Sequence, residues 1–272
     1  MPRQLPGTGA WVLVGCLAGA TPTFPCTVFN VTEGAATYVG ANKDWTTDRF
    51  HLRVRRAHGE KHGMLVFGVD DPERYPFFGF NDQGLFFDLA SAPHAGEPRL
   101  DPGKETWDSP LYVRMLASCG DVTQAVEFLG RFNVTGLRRH HIMLVDRTGL
   151  SAVVEAAPQG QVVIRKQGRY QLMTNFLLSA PEAPALSESG RFAVADRMLR
   201  EMGQPTVDGV RSILSATRNA SSRYPTVFSS ILDLSQLRLH LYRRADFEKS
   251  ALIDMRRELE RGESRRPLSS FF

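Results

Sequence analysis

The chain has 272 residues, a formal net charge of +4 at neutral pH and three cysteines. This length is within the range of a single domain and is enough to bury a substantial core. Three cysteines cannot form a disulfide framework, and the basic residues are not interleaved with aromatics as they are in nucleic-acid grooves. Composition therefore excludes a disulfide-rich scaffold and indicates no nucleic-acid partner.

The first residues have the pattern of a secretory signal peptide. Arg3 provides a basic start, an apolar stretch runs from Ala10 to Ala20, and that stretch ends in an A-x-A cleavage pattern. We therefore expect a signal peptide over residues 1–20. Its removal would leave a short pro-segment, residues 21–25, in front of Cys26.

A second pattern lies inside the same segment. Leu13-Val14-Gly15-Cys16 matches a bacterial lipoprotein box, which would make Cys16 a lipid anchor. Both patterns predict a secreted or periplasmic protein. No uncharged apolar stretch reaches the roughly 20 residues that span a bilayer, so we expect no integral membrane span.

Cys26 is the leading catalytic candidate. Residues 27–31 and 36–42 favour strands, and Gly34 between them favours a turn, so folding back brings Cys26 near Asp44. If Cys26 became the first residue, its own α-amine, with a pKa of about 8, could accept the thiol proton. Asp44 would then orient that amine. The alternative is that Cys26 is a small buried hydrophobe in a strand.

The rest of the chain alternates groups of short strands with helical blocks. Strands repeated in hairpins predict mainly antiparallel sheets in one layered α+β domain over residues 26–272. The charged stretch from about residue 245 predicts a surface tail helix. The strands predicted after the first hairpin cover residues 50–55, 63–69, 76–80, 84–91, 140–145, 151–155, 161–165 and 170–175, with a late hairpin at 226–234 and 238–243. The predicted helices are two short ones from Ser109 to Leu129, then 189–202 and 206–217.

Two further features are interpreted as structural. Cys119 lies between the two short helices, where Asp121 or Thr123 can cap the second helix. His140 and His141 are adjacent on a predicted strand, so their rings point to opposite faces, and no cluster of Cys or His accompanies them. We expect no metal and no cofactor.

Four motifs occur in a characteristic order: Cys26-Thr27, the segment from Gly40 to Asp44, the segment from Asn81 to Leu85, and Thr174-Asn175. Together they resemble the choloylglycine hydrolase and penicillin V acylase family of N-terminal nucleophile hydrolases, which has acid ceramidase and penicillin acyltransferase branches. The resemblance covers most of residues 26 to 243. It implies a four-layer αββα sandwich, autoproteolytic exposure of Cys26, and hydrolysis of a linear amide through a thioester.

The resemblance also implies roles for single residues. Cys26 would be the nucleophile, Asp44 would bind its amine, and Asn175 would donate a hydrogen bond to the oxyanion. Arg223 is the first candidate for the family's late arginine near the nucleophile, and Arg218 is the second.

Asn81, Ser91 and Lys43 are the expected substrate-binding positions, and two departures from the family pattern lie among or beside them. Ala41 stands where the bile-salt and penicillin enzymes commonly have an arginine. Lys43, on the same strand face, either replaces that cation or is a solvated lysine. Ser91 stands where the bile-salt enzymes offer a second asparagine to the oxyanion, so a backbone N–H would serve instead. These changes disfavour a bile salt or penicillin V as the substrate.

The expected function is a secreted N-terminal cysteine amidohydrolase that acts on a small-molecule N-acyl amide. Phe77, Phe78, Phe86 and Phe87 are available to receive an acyl chain or to form core. An acyltransferase with the same acyl-enzyme and a catalytically silent binding protein that keeps its leader are the alternatives. The state of assembly, including a homo-oligomer, stays open.

Overall fold

A computed structural model describes residues 26–93, 99–188 and 190–272. The predicted signal peptide, the pro-segment and Cys16 lie outside these residues. Within them, two large antiparallel sheets stack face to face, and helices cover both outer surfaces. This arrangement confirms the predicted αββα sandwich.

In each large sheet, most strands that lie side by side are also consecutive in the chain, and a few neighbours come from distant parts of the chain. The six-stranded sheet has the order β12 (Tyr170–Met173), β1 (Thr27–Glu33), β2 (Ala36–Asp44), β13 (Thr226–Asp233), β14 (Arg238–Arg243) and β15 (Ser250–Asp254). The eight-stranded sheet has the order β11 (Gly160–Arg165), β10 (Ser151–Ala157), β9 (His140–Val145), β6 (Phe86–Ser91), β5 (Pro76–Asn81), β4 (Met64–Val69), β3 (Phe50–Arg55) and β16 (Ser264–Pro267). Two short strands, β7 (Thr106–Trp107) and β8 (Asn133–Val134), form a separate parallel pair.

Some of the helices begin at side-chain N-caps. The side chain of Asp121 accepts a hydrogen bond from the N–H of Gln124, and Thr206 does the same for Gly209. The helices are α1 (Pro110–Ser118), α2 (Val122–Gly130), α3 (Ala183–Ser187), α4 (Gly190–Glu201), α5 (Val207–Ala216) and α6 (Met255–Arg261), with 3₁₀ turns at Thr135–Arg138 and Leu268–Phe271. None of the helices in the described ranges is long and apolar enough to cross a membrane.

Three apolar cores separate the four layers. The middle core lies between the sheets and includes Cys26, Val28, Phe78 and Phe86. A second core joins the eight-stranded sheet to α1 and α2 and includes Phe87, and a third joins the six-stranded sheet to α4 and α5. Three of the four phenylalanines proposed for an acyl chain are thus buried core residues. The fourth, Phe77, is half-buried with its ring 4.7 Å from that of Trp45.

The prediction of a tail helix after residue 245 is wrong for most of that segment. Only α6 is an α-helix there, while β15 extends the six-stranded sheet and β16 extends the eight-stranded sheet. Alternation explains this outcome, because the buried Ile253 packs into the middle core while its neighbour Leu252 is exposed. Of the charged residues in this segment, β15 carries Asp254 and β16 carries Arg265 and Arg266, and charge on an edge strand discourages pairing with other chains. The other charged residues lie in α6 and in the connecting turns.

Candidate active site

The hairpin of β1 and β2 places Cys26 against Lys43. Thr27 pairs with Asn42 and Val28 with Ala41. One step further along the same register, Cys26 faces Lys43. Opposite residues in antiparallel strands share a face, so both side chains point into the layer between the sheets, where Val28 and Ala41 also lie.

The thiol of Cys26 is 3% exposed. Burial raises the pKa of this thiol to about 11, while the Lys43 ammonium and a hydrogen bond from the Asp44 backbone N–H act in the opposite direction. At neutral pH the sulfur is therefore protonated. A nucleophile in this environment needs an adjacent base to take its proton.

The backbone nitrogen of Cys26 is held by Asn175, which follows β12. This nitrogen donates to Asn175 Oδ1 at 2.8 Å, and Asn175 Nδ2 donates to the carbonyl oxygen of Ser91 at 2.8 Å. Two sequence motifs that are 149 residues apart in the chain are thus joined by one hydrogen bond. Ser91 therefore contributes its carbonyl oxygen, and the Asn175 amide nitrogen that was predicted to donate to the oxyanion donates to this carbonyl in the structure.

Arg191 completes the group, and the sequence reasoning missed it. Its guanidinium donates to Asp44 Oδ2 at 3.1 Å, to Asn175 Oδ1 at 2.8 Å and to Thr27 Oγ1 at 3.3 Å. Arg191 lies in the first turn of α4, and nothing in the local pattern distinguishes it from the other arginines of that helix. Only the packing of α4 onto the six-stranded sheet reveals it.

Asp44 points away from the thiol, toward the helices. Its carboxylate accepts hydrogen bonds from Arg191 and from Thr226 Oγ1, and a register shift in β13 brings Thr226 opposite Asp44. Burial raises the pKa of Asp44 to about 7, although Thr226 and Arg191 favour its charged form. Asp44 therefore reaches the Cys26 nitrogen indirectly, because Arg191 links it to Asn175.

Lys43 is not a solvated lysine. It is 1% exposed, its Nζ bonds to Asp88 Oδ1 of β6, and it also donates to the Leu89 carbonyl at 3.0 Å. This pair connects the two sheets across the middle core. Burial raises the pKa of Asp88 to about 6, against the effects of Lys43 and of the Leu89 N–H.

A second buried pair supports the segment that carries Asn175. His141 Nδ1 lies 2.9 Å from Glu155 Oε1, and His141 Nε2 lies 2.7 Å from the Thr174 carbonyl. Glu155 also accepts hydrogen bonds from the backbone N–H of Leu178 and Ser179 and from the Ser179 hydroxyl. Both ring nitrogens of His141 therefore lie within hydrogen-bond distance of an oxygen that can accept a hydrogen bond.

The two adjacent histidines face opposite sides of β9, as predicted. His141 points between the sheets, whereas His140 points to the helices, where its Nε2 lies 2.9 Å from the Tyr112 hydroxyl. Among the described residues, no group of three or more His, Cys, Asp or Glu is arranged to hold a metal ion. Cys26 and Cys119 are both buried free thiols.

Asn81 is a structural residue of the β5–β6 turn, which corrects its prediction as a substrate-binding position. Its Nδ2 donates to the carbonyls of Leu116 and Cys119 at 2.8 and 2.7 Å, and its Oδ1 accepts from the N–H of Gln83 and Leu85. The side chain is fully buried. The Nδ2 bonds tie the turn to the end of α1, and the Oδ1 bonds close the turn itself. Its hydrogen-bonding groups are thus engaged by the protein itself.

The two late arginines do not contact this group. Arg223 is exposed, and its guanidinium lies over the Tyr224 ring at 5.2 Å. Arg218 is also exposed, donates to the Ser215 carbonyl, and lines a groove of about 500 Å³ beside Thr226. The guanidinium that bonds to Asp44 and Asn175 belongs to Arg191 instead.

Comparison with known proteins places this arrangement in a known architecture. No protein-family model matches the chain, and no curated protein is similar enough in sequence to count as a relative. Solved structures do match. Penicillin V acylase from Agrobacterium tumefaciens has a TM-score of 0.72 at 17% identity, over 88% of this chain and 90% of that chain.

Two other solved structures are similar to this chain over most of their length. A variant of conjugated bile acid hydrolase from Clostridium perfringens has a TM-score of 0.66 at 17% identity, covering 89% of this chain and 96% of that one. The Caenorhabditis elegans ortholog of N-acylethanolamine-hydrolyzing acid amidase has a TM-score of 0.55 at 17% identity, covering 77% of this chain and 93% of that one.

The chain has the N-terminal nucleophile hydrolase fold. The comparison confirms the architecture that the sequence resemblance predicted, since the match extends over most of both chains. In this fold, Cys26 directly precedes β1, and its backbone nitrogen donates a hydrogen bond to Asn175. Identities of 17% carry the fold alone, so the chemistry has to be argued from the residues.

Proposed function

We propose that this protein is an N-terminal cysteine amidohydrolase that cleaves a linear N-acyl amide through a thioester acyl-enzyme. The observation that carries the proposal is Cys26 at the head of β1, with its backbone nitrogen held by Asn175. The fold supports it, because the similar structures are named as an acylase, a hydrolase of conjugated bile acids and an amidase that hydrolyses N-acylethanolamines. We further propose that residues 1–20 direct secretion.

Maturation is the first step of the proposed mechanism. In the full chain the Cys26 nitrogen is a peptide nitrogen bonded to Pro25, so it cannot act as a base. The Cys26 thiol would attack the Pro25 carbonyl, and the C–N bond would break to leave a thioester and a free amine. Water would then hydrolyse the thioester and release the segment that ends at Pro25.

The released α-amine supplies the missing base. With a pKa of about 8, it accepts the thiol proton as sulfur attacks the amide carbonyl of the substrate. The resulting ammonium gives that proton to the leaving nitrogen when the C–N bond breaks. Water then attacks the thioester and gives one proton to the amine. When the C–S bond breaks, the ammonium returns that proton to sulfur, which releases the carboxylic acid and restores the thiol.

Asn175 and Arg191 fix the position of that amine. Asn175 Oδ1 accepts from the Cys26 nitrogen, and Arg191 donates to the same oxygen while pairing with Asp44. A bond to a fixed amide keeps the amine lone pair directed toward sulfur. We assign Asp44 the role of holding Arg191 in place, with Thr226 supporting it.

The proposal is tested by measuring the mass and N-terminal sequence of the secreted wild type and of Cys26→Ala. We expect the wild type to begin at Cys26 and to hydrolyse fluorogenic N-acyl amides. We expect the variant to retain Pro25 and to lose at least about 10⁴-fold in activity, as for removal of a nucleophile. Cys119→Ala, the matched control at the other buried thiol, should be processed and active.

A stable wild type that retains Pro25 and hydrolyses no N-acyl amide would overturn the proposal. That result would leave a binding protein of the same fold. If processing occurs, an added amine or thiol acceptor in the assay separates hydrolysis from acyl transfer. Hydrolysis predicts the free acid as the main product, whereas an acyltransferase would form the new amide or thioester.

A further inference from the structure

Lys43 is the residue beside the nucleophile on the inter-sheet side. The β1–β2 register sets it opposite Cys26, and both side chains point into the middle core. Residues directly opposite in an antiparallel pair have Cβ atoms about 5 Å apart. Whatever reacts with the thiol from this side must therefore pass close to the Lys43 side chain.

Asp88 meets Lys43 from the other sheet. The two side chains are 1% and 0% exposed, and Asp88 Oδ1 is occupied by the Lys43 ammonium. Asp88 Oδ2 is buried and has no hydrogen-bond partner of good geometry among the described residues. Such an oxygen is costly in an apolar setting, so its persistence requires an explanation.

The surroundings of the pair are apolar. Phe78 lies 5.9 Å from the Lys43 Nζ, and the neighbouring residues of the same core are hydrophobic. The ammonium is used by Asp88 and by the Leu89 carbonyl, so the pair as a whole offers one acceptor, Asp88 Oδ2. The Lys43–Asp88 pair therefore lacks one hydrogen-bond donor.

The mechanism indicates which part of a substrate lies here. The leaving nitrogen must receive a proton from the Cys26 nitrogen, which Asn175 holds on the β12 side of β1, whereas Lys43 lies on the opposite neighbour, β2. The leaving group is therefore directed toward that nitrogen. The acyl substituent is then the part nearest to Lys43 and Asp88.

We propose that Lys43 and Asp88 form a polar subsite for the acyl group, which selects N-acyl amides with a hydroxyl or N–H donor close to the scissile carbonyl. This inference rests on the proposed function and specifies its substrate class. An aliphatic acyl group would leave Asp88 Oδ2 unsatisfied, whereas a hydroxyacyl group would donate to it. Sites built around a buried polar group discriminate strongly against analogues that lack the matching group.

The test uses matched fluorogenic amides of aminomethylcoumarin. Lactoyl and isobutyryl differ by a hydroxyl in place of a methyl, as do β-hydroxybutyryl and isovaleryl. Pyruvoyl and acetoacetyl offer only an acceptor near the same positions. With the mature wild type, we expect kcat/KM to be about 10-fold or more higher for at least one hydroxyacyl amide than for its aliphatic partner.

Asp88→Asn gives a sharper result, because Lys43 can bond only to an oxygen. The ammonium fixes the amide oxygen of the asparagine toward itself, which places the amide nitrogen where Oδ2 was. The subsite changes from acceptor to donor, so the preference should shift to the pyruvoyl or acetoacetyl amide. Asp208→Asn, at a carboxylate that is 77% exposed, is the matched control and should keep the wild-type preference.

If Asp88→Asn does not fold, a double variant tests the same subsite. Replacing both partners, Lys43→Met with Asp88→Leu, exchanges the buried pair for apolar residues of similar size, a change that buried ion pairs commonly tolerate. This double variant should lose the hydroxyacyl preference and favour isobutyryl or isovaleryl. Circular dichroism and thermal unfolding establish that each variant is folded.

The outcomes separate the two proposals. Equal kcat/KM for the members of both matched pairs, or an unchanged preference in the folded variants, would overturn the subsite and leave the amidohydrolase intact. It would mean that a buried water satisfies Asp88. Failure of the processed wild type to cleave any of these amides or simple aliphatic amides would overturn the proposed function itself.

Discussion

Two buried ionic pairs lie between the sheets near the nucleophile, and they differ in how completely they are satisfied. The pair of His141 and Glu155 is closed, because Glu155 accepts four hydrogen bonds and both nitrogens of His141 have acceptors. The pair of Lys43 and Asp88 is open, because Asp88 Oδ2 has no hydrogen-bond partner of good geometry among the described residues. Both are fully buried, so solvent does not explain the difference.

The comparison suggests that the two pairs serve different purposes. A closed network rigidifies its surroundings, and the partners of Glu155 and His141 belong to the segment just before and after Asn175. An open pair has capacity left for another molecule. The same physical rule, that buried polar groups must be satisfied, thus identifies a support in one place and a subsite in the other.

Among the residues that surround the nucleophile, the largest effect is expected from Arg191→Met. This change removes the donor shared by Asp44 and Asn175 and leaves the buried Asp44 carboxylate with Thr226 as its remaining side-chain partner among the described residues. Truncating one member of a buried charge pair commonly costs about 2–5 kcal/mol, so we expect kcat/KM to fall by about 100-fold, mainly through kcat. Steady-state kinetics on the mature enzyme measure it.

Arg223→Met is the control for that variant. Arg223 is exposed and stacks on Tyr224, so its loss should change kcat/KM by less than about twofold. If Arg223→Met were the more damaging change, the positioning role would belong to Arg223, as the sequence predicted, and the assignment of Arg191 would be wrong.

Glu155→Gln tests the closed pair and should have an intermediate effect. A neutral amide has one acceptor oxygen and cannot satisfy His141, Leu178 and Ser179 together. Breaking a buried pair in this way should lower the free energy of unfolding by about 3 kcal/mol. Because Asn175 is displaced, we expect kcat to fall about 10-fold while KM changes little.

Urea unfolding and steady-state kinetics together check this prediction. A purely structural role would lower stability and leave kcat of the folded enzyme unchanged, which would contradict the positioning of Asn175 by Glu155. Glu73→Gln is a suitable control, since Glu73 forms a surface pair with Arg55 on β3. It should change neither quantity appreciably.

The smallest effect concerns the pH dependence of stability. Burial raises the pKa of Asp44 to about 7 and of Asp88 to about 6, from a usual value of 3.8. The folded state therefore holds these protons at a pH where the unfolded chain has lost them. Their stabilising contribution is complete below about pH 4 and is lost as the pH rises through about 6 to 7.

Unfolding in urea between about pH 5 and about pH 8 measures this slope. Over that range we expect the unfolding free energy of the wild type to fall as pH rises, and the slope to flatten in Asp44→Asn and Asp88→Asn. A wild type that becomes more stable as pH rises would contradict the direction of both shifts. Glu155, whose burial is outweighed by hydrogen bonds that lower its pKa, does not titrate in this window.

The sequence predicted the parts of the fold that depend on local pattern. β-propensity and turn residues identified the hairpins, and the predicted strands and main helices agree with the observed elements to within a few residues. The prediction for the charged C-terminal segment was wrong, because β15 pairs with the preceding strand β14 and β16 pairs with the distant strand β3, and the charge pattern of the segment reveals neither partner.

The candidate site divides in the same way. Short motifs identified Cys26, Asp44 and Asn175 as candidates, because each lies next to a strand end with a recognisable signature. Arg191, Thr226, Glu155 and Asp88 had no such signature, and Asn81 had one that proved structural. A lone arginine in a helix or an aspartate in a strand has the same local sequence whether it is buried in a site or exposed to solvent.

The sequence by itself determined where the strands lie along the chain, which residue is the candidate nucleophile and which residues flank it. These follow from local residue preferences and short motifs. What only the tertiary structure decided is which charges meet. The sequence left two interpretations for Lys43, a solvated lysine or a replacement cation. The structure shows that it pairs across the middle core with Asp88 of β6. Contacts between sheets are set by how two surfaces stack, and that information is distributed over many residues far apart in the chain.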